Sequence, residues 1–230
     1  MARWPAPGRC KRRLAGEMGP RRAAAVQRRL TVHGVATARQ ACGSGIELLL
    51  AGTGLGPGGL ARWGAALGVA RVVDQGRGSL GLRLRRQVVR ARREGIAQLV
   101  LIGSDLPELE AADLLAAFAA LEAGAPLVLG PAVDGGYWLL GLNLVAAAAA
   151  AARSGSGSGS WSGARSGRRS GAGVAGPAPW LFAGADRPIA WGSALVGEQT
   201  LRAADREGLA VTLLAPRADL DRPADLDRWR

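Results

Sequence analysis

Residues 99–141 read LVLIGSDLPELEAADLLAAFAALEAGAPLVLGPAVDGGYWLLG. An apolar run from Leu99 to Ile102 ends in Gly103-Ser104-Asp105, and a second, from Pro126 to Gly130, ends in a loop carrying Asp134-Gly135-Gly136. Between them a helix starting at Leu106-Pro107-Glu108 keeps Leu114, Leu115, Phe118 and Leu121 on one face and stops at Gly124. Strand, acid, helix, strand, acid is a βαβ pattern. In open α/β sheets, ligands bind in the crevice beyond the carboxyl ends of the strands, so two acids arriving there point to a cation or phosphate site. Tyr137 to Leu142 reads as a further strand. Tyr137, the single tyrosine, is either a pocket wall beside Gly135-Gly136 or a half-buried strand aromatic.

The chain has 230 residues, 48% hydrophobic and 21% charged, which suits one α/β domain with a full core. Cys10 and Cys42 match no CxxC or Cys/His ligand spacing, so neither a disulfide framework nor a zinc site is indicated. A reducing cytoplasm is the expected setting. No apolar run reaches the roughly 18–20 residues of a membrane span, and the basic start MARWPAPGRCKRRL lacks the apolar region of a signal peptide. The net charge of +12 is almost wholly arginine and lies in the first 30 residues, in Arg83–Arg93 and around Arg165–Arg169. Without a recognition motif it does not indicate specific nucleic-acid binding.

Trp4-Pro5-Ala6-Pro7-Gly8 is a loop, because two prolines and a glycine break a helix. Lys11, the only lysine, follows it with Arg13. An ammonium and a guanidinium after a glycine-containing loop suit the phosphates of a nucleotide, as a point charge and a fork; a basic surface turn is the alternative. Pro20 opens a helix to about Cys42 that carries the lone His33, read as a packed or surface residue. Ile46–Ala51 is a short strand, Leu60–Leu67 a short helix, Ala70–Val73 a strand and Leu82–Glu94 an arginine-rich helix preceded by glycines including Gly81. The glycine-rich Gly52–Gly59 has the wrong spacing for a dinucleotide loop. Residues 146–176 form an alanine run and a Gly/Ser/Arg stretch, a flexible insert between a nucleotide-binding part, 1–145, and a C-terminal part of the same domain, 177–230. A helix from about Ala194 to Glu207, a strand from Ala210 to Leu214 and the acid-rich Asp219–Leu226 close the chain.

Five segments fall in an order that resembles a known family: Pro5–Leu14, Gly78–Gly81, Gly103–Pro107, Gly130–Tyr137 and Trp191–Ser193. Together they are similar to the glycosyltransferase-A-like family often called selenodomain-associated transferases. The SDxP and GPxxDGGY elements are the specific ones. The resemblance implies a three-layer α/β/α Rossmann-like nucleotide-diphospho-sugar transferase (GT-A) fold with a mixed sheet, cytoplasmic placement and a divalent metal. It gives Asp105 and Asp221 as metal ligands, Gly8, Lys11, Arg13 and Gly81 as nucleotide or phosphate contacts, and Asp134 as the catalytic acid near the transferred group. Asp219 and Asp221 match a DxDxPxDL element that nucleotidyltransferases of this fold use near their metal. Gly135, Gly136, Tyr137 and Trp191 would wall the substrate pocket. A histidine-free, oxygen-rich set favours Mg²⁺ or Mn²⁺.

The chain departs from the family at Arg12, where threonine is usual, at Ser79, where an acid is usual, and at Gly192-Ser193, where Ser-Thr is usual. The family also has an apolar strand before the PxPG loop, whereas this chain opens with Met1-Ala2-Arg3. The expectation is a first strand cut short, with unpaired backbone on its two neighbours and lower stability than a longer form. Three functions follow. The first is metal-dependent transfer of a sugar from a nucleotide-diphosphate donor to a small-molecule acceptor, and the second is transfer of NMP from an NTP to a phosphorylated small molecule. The third is non-catalytic nucleotide binding.

Overall fold

The structure, a computed structural model, describes residues 1–43, 45–145 and 189–229. The first half of the chain forms β1 (Ala2–Arg3), α1 (Arg12–Met18), α2 (Pro20–Ala41), β2 (Leu49–Thr53), α3 (Pro57–Ala66), β3 (Arg71–Asp74) and α4 (Leu80–Arg93). There follow β4 (Gln98–Ile102), α5 (Ala111–Glu122), β5 (Leu127–Pro131), β6 (Tyr137–Asn143), α6 (Val196–Arg206), β7 (Val211–Leu213) and a 3-10 helix (Pro223–Trp229). The insert expected at 146–176 and the segment Pro179–Phe182 lie outside the described residues.

Local chemistry sets most boundaries. Pro20 and Pro57 occupy first helical turns, where a missing N–H costs nothing. Ser79 caps α4 by accepting from the Leu82 N–H. Helix α5 begins later than Leu106 because Glu110 and Asp113 form a reciprocal capping box, with Asp113 accepting from the Glu110 N–H at 3.0 Å. β2 likewise begins at Leu49 instead of Ile46, since Ile46 is held in a turn by its N–H to Gly43 O. Helix α1 has no counterpart in the sequence reading, where Lys11 and Arg13 follow a loop at Trp4–Gly8 with a basic surface turn as the alternative.

The strands fall into a three-stranded sheet, β1-β2-β3, and a four-stranded sheet, β4-β6-β5-β7. The first is parallel. In the second, β6 runs antiparallel between β4 and β5, and β7 lies parallel to β5. The βαβ unit of residues 98–131 therefore exists, with β6 inserted between its two strands. Strand β5 buries Val128 against α5 and α2, and its neighbours Leu127 and Leu129 against the opposite layer with Val88 and Ala204. Both faces are covered, which is why these strands read as continuous apolar runs. The result is the expected three-layer α/β/α arrangement with a mixed sheet.

The first strand is two residues long, Ala2 and Arg3, paired with Gly52 and Thr53. The Met1 amine beyond it is buried and donates to Ile102 O at 2.8 Å, at the carboxyl end of β4. Burial lowers its pKa from 8.0 to about 6, opposed by the nearby Asp105 carboxylate. The unfolded chain thus binds one more proton between these values. Stability is full above about pH 8 and falls as pH drops through 6, by about 3 kcal/mol in all, the product of two units and about 1.4 kcal/mol per unit. Urea denaturation at both pH values should show this slope, and N-terminal acetylation should abolish it.

Candidate active site

The carboxyl ends of β1, β4 and β5 and the closing loop 215–222 surround an open pocket of about 590 Å³. Six basic residues, Arg3, Arg9, Lys11, Arg12, Arg13 and Arg83, line it together with four acids, Asp105, Asp134, Asp219 and Asp221. The two signs divide between segments: five of the basic residues come from the first 13 positions, and the acids come from the loops after β4, β5 and β7.

Lys11 sits at the centre. Its side chain is 2% exposed, and its ammonium donates to Leu220 O at 2.5 Å and to Asp221 Oδ1 at 3.1 Å, with Asp105 Oδ1 at 3.2 Å. It is the one non-glycine residue with positive φ (46°) among the described residues, and it caps α1 in the left-handed region. That conformation costs roughly 1–2 kcal/mol, which the three oxygens around the ammonium offset. Arg13 holds the other Asp221 oxygen at 3.2 Å. Leu220 is fully buried beside Leu14 and Leu30, and its N–H donates to Asp105 O at 2.9 Å. One residue therefore ties the Asp105 loop to the Lys11 loop through its two backbone groups.

The remaining acids are positioned by turns. Asp134 Oδ1 accepts from the Gly136 N–H at 3.0 Å. Gly135 has φ +88°, and a side chain there would meet Ala194 O at 2.1 Å, so only glycine fits. Its carbonyl accepts from the Gly197 N–H at 2.9 Å, which docks the start of α6 on the Asp134 loop. Asp219 has a raised pKa, caused first by burial and then by the charges of Asp134 and Asp221. Asp225 belongs to the same acid-rich segment but caps the 3-10 helix, accepting from the N–H groups of Asp221 and Arg222 at 3.0 and 2.7 Å.

Of the residues singled out in the sequence, Lys11, Arg13, Asp105, Asp134, Gly136, Tyr137 and Asp221 line the pocket. Tyr137 is half-buried with its hydroxyl enclosed, which raises the pKa of that hydroxyl, and Thr200 opposes the rise. Gly81 and Trp191 meet each other: the Trp191 ring lies 2.3 Å from where a Gly81 side chain would begin, so the indole packs on the start of α4. Gly8 contributes a left-handed turn (φ +73°) before Lys11. The sequence reading missed Gln27, Leu220 and Arg83. Gln27 reaches Ser104 Oγ at 3.2 Å from α2 and steadies the turn before Asp105; its only signal was an uncharged amide on the buried face of an arginine-rich helix.

The acids suit a divalent ion in one respect. Among the described residues, Asp105 Oδ1 is buried and is held by the Lys11 ammonium alone, 3.2 Å away in an ion pair without hydrogen-bond geometry. Among the described residues no three His, Cys, Asp or Glu side chains converge on a metal position, but Mg²⁺ commonly takes one or two protein carboxylates and completes its shell with phosphate oxygens and water. Asp105 fits that role. Asp221 faces Lys11 and Arg13 in this arrangement.

The family described as an uncharacterized protein conserved in bacteria (DUF2064) matches residues 31–154, just over half of the chain. Among solved structures, the chain is similar to a protein of Desulfovibrio desulfuricans G20 provisionally assigned as a nucleotide-diphospho-sugar transferase. The identity is 25% and the TM-score 0.71, over 96% of this chain and 80% of that one. No curated protein matches. Among the described residues no helix is long and apolar enough to cross a membrane.

Lys11→Met should destabilise the fold by about 1–3 kcal/mol, less than a fully buried pair because Asp105 and Asp221 keep 49% and 37% side-chain exposure. Lys11→Arg should not rescue it, because a planar fork cannot reproduce three contacts around one nitrogen. Chemical denaturation of both variants provides the comparison.

Proposed function

We propose that this chain, which belongs to the DUF2064 family of proteins conserved in bacteria, transfers a sugar from a nucleotide-diphosphate donor to a small-molecule acceptor. One observation carries the reading: a buried ammonium held between two carboxylates at the carboxyl ends of the strands, with several guanidinium groups lining the same pocket. The likeness to the Desulfovibrio protein supports it at the level of fold and donor class, and the SDxP and GPxxDGGY elements support the finer likeness to selenodomain-associated transferases. Two free cysteines agree with a cytoplasmic setting.

In this reading Arg13 receives the donor diphosphate and Lys11, whose ammonium stays with Leu220, Asp221 and Asp105, adds its positive charge, with Arg9, Arg12 and Arg83 lining the same pocket. Asp105 would hold a Mg²⁺ or Mn²⁺ that neutralises the diphosphate as it leaves. Asp134 orients the acceptor hydroxyl and takes its proton through the carboxylate oxygen that Gly136 leaves free. Asp219, with its raised pKa, is the neighbouring group best able to share that proton. Gly8, Gly81 and Gly135 shape the backbone around these groups, Tyr137 lines the sugar side, and Trp191, outside the pocket lining, packs on Gly81 at the start of α4.

A second reading, NMP transfer from an NTP to a phosphorylated acceptor, is favoured by Asp219 and Asp221 lying together in the pocket from one DxDxPxDL segment. Products separate the two. With a panel of nucleotide sugars and Mn²⁺, the first reading expects nucleoside diphosphate; NTPs releasing pyrophosphate would establish the second. Asp105→Asn should lower turnover about 100-fold or more, in the range typical for losing a group that stabilises transition-state charge. A metal-dependent thermal shift with nucleotide, present in the parent and lost in Asp105→Asn, would accompany it. No shift with any nucleotide would leave only a non-catalytic role.

A further inference from the structure

Among the described residues, Arg83 is the one basic residue of the charged pocket that lies beyond Arg13 in the chain. It stands on α4, and direct contacts join the start of that helix to the loop carrying Asp134. The Trp191 ring packs on Gly81, the next residues Gly192 and Ser193 line the pocket, and Ala194 O abuts Gly135. The Gly197 N–H closes the run by donating to Gly135 O at 2.9 Å. Arg83 and Asp134 therefore belong to one packed wall, whereas Arg3, Arg9, Lys11, Arg12 and Arg13 belong to the N-terminal segment. With the donor diphosphate on that segment and the acceptor hydroxyl at Asp134, as proposed, Arg83 falls on the acceptor's side.

The bonding of Arg83 leaves a specific need. Its Nε donates to Gly78 O at 3.0 Å, which restrains the guanidinium against the first turn of the helix. Its two terminal nitrogens make no hydrogen bond or ion pair among the described residues. Helix α4 carries no acid from Leu80 to Arg93, so no carboxylate of its own helix takes the fork. Arg86, one turn on and outside the pocket lining, is the contrast: its terminal nitrogen is taken up by Gln75 O and Arg77 O. Arg83 is half-buried, so a ligand seated against it displaces solvent from the fork. A neutral ligand returns only uncharged hydrogen bonds in exchange, whereas a carboxylate or phosphate returns two parallel, charge-assisted ones. We infer that Arg83 is a specificity-determining residue that receives an anionic group of the acceptor. The acceptor is then a hydroxyl compound carrying a carboxylate or a phosphate monoester, its hydroxyl at Asp134 and its charge at Arg83. The inference rests on Asp134 serving the acceptor, and it adds the chemical class of that acceptor.

The test titrates the full chain calorimetrically, at physiological ionic strength, with glycerol, glycerate and glycerol phosphate, before and after saturation with uridine or guanosine diphosphate and Mn²⁺. Glycerate or glycerol phosphate should bind about tenfold or more tightly than glycerol, the size of one charge-assisted hydrogen bond. That preference should persist on the nucleotide-loaded protein, and whichever of the two probes shows it names the group. Arg83→Gln should abolish the preference, and Arg83→Lys should keep part of it, as a point charge without a fork. Arg85→Gln makes the same charge change at an exposed position of the same helix outside the pocket lining, and should leave the preference intact. If thermal melts show that Arg83→Gln does not fold, Arg83→Lys decides, with a loss of about threefold or more expected and no loss refuting. Equal binding of all three probes, a preference that survives Arg83→Gln, an equal loss in Arg85→Gln, or displacement of the anion by the nucleoside diphosphate would each overturn the inference. Failure of both nucleotides to bind, with the anion preference and its dependence on Arg83 intact, would refute the donor assignment while upholding Arg83 as an anion site.

Discussion

A single desolvated positive charge organises the carboxyl end of this sheet. An ammonium taken out of water is tolerated only when oxygens surround it, and the oxygens around Lys11 come from positions 105, 220 and 221, more than 90 residues away in sequence. Satisfying that charge brings the loop after β1, the loop after β4 and the closing segment to one point. It also accounts for the left-handed backbone of Lys11, which turns the chain into α1 and aims the side chain inward. Leu220 completes the arrangement from the apolar side: its side chain is buried with Leu14 and Leu30 while its peptide groups serve Asp105 and Lys11.

Around that point, burial and charge divide the labour. Arg13 and Lys11 neutralise Asp221, whereas Asp219 holds its proton more tightly because of burial first and the charges of Asp134 and Asp221 second, with Lys11 pulling the other way. The walls are set by close backbone approach. The loop carrying Asp134 lies on the start of α6 at a separation that only glycine at 135 allows, and the start of α4 lies under Trp191 at one that only glycine at 81 allows. Such contacts are short and stiff, so the loop carrying Asp134 keeps its place without help from long side chains.

What the sequence revealed depended on how local the cause was. Residues 99–141 showed their strands and acids because apolar runs and a helical period are written in adjacent residues. Asp105, Asp134 and Lys11 stood out by motif and rarity. The insertion of β6 between β4 and β5 was not legible, since a strand buried on both faces has the same apolar pattern whichever neighbour it takes. Helix α1 was hidden by arginines that read as a surface turn, and its buried Leu14 finds its partners in α2 and at Leu220, far along the chain. Leu220 carried no polar signal at all, because it contributes to the site through its backbone.

Lys11 is the only lysine in the chain, and both it and the amine of Met1 are withdrawn into the protein. The folded molecule therefore offers almost no primary amine to its surroundings, despite a net charge of +12. Acylating reagents, aldehydes and enzymes that modify lysine would meet a surface of guanidinium groups and pass over it. Covalent amine chemistry on this protein becomes a record of how often the centre of its charged pocket opens, with almost no background from the rest of the surface.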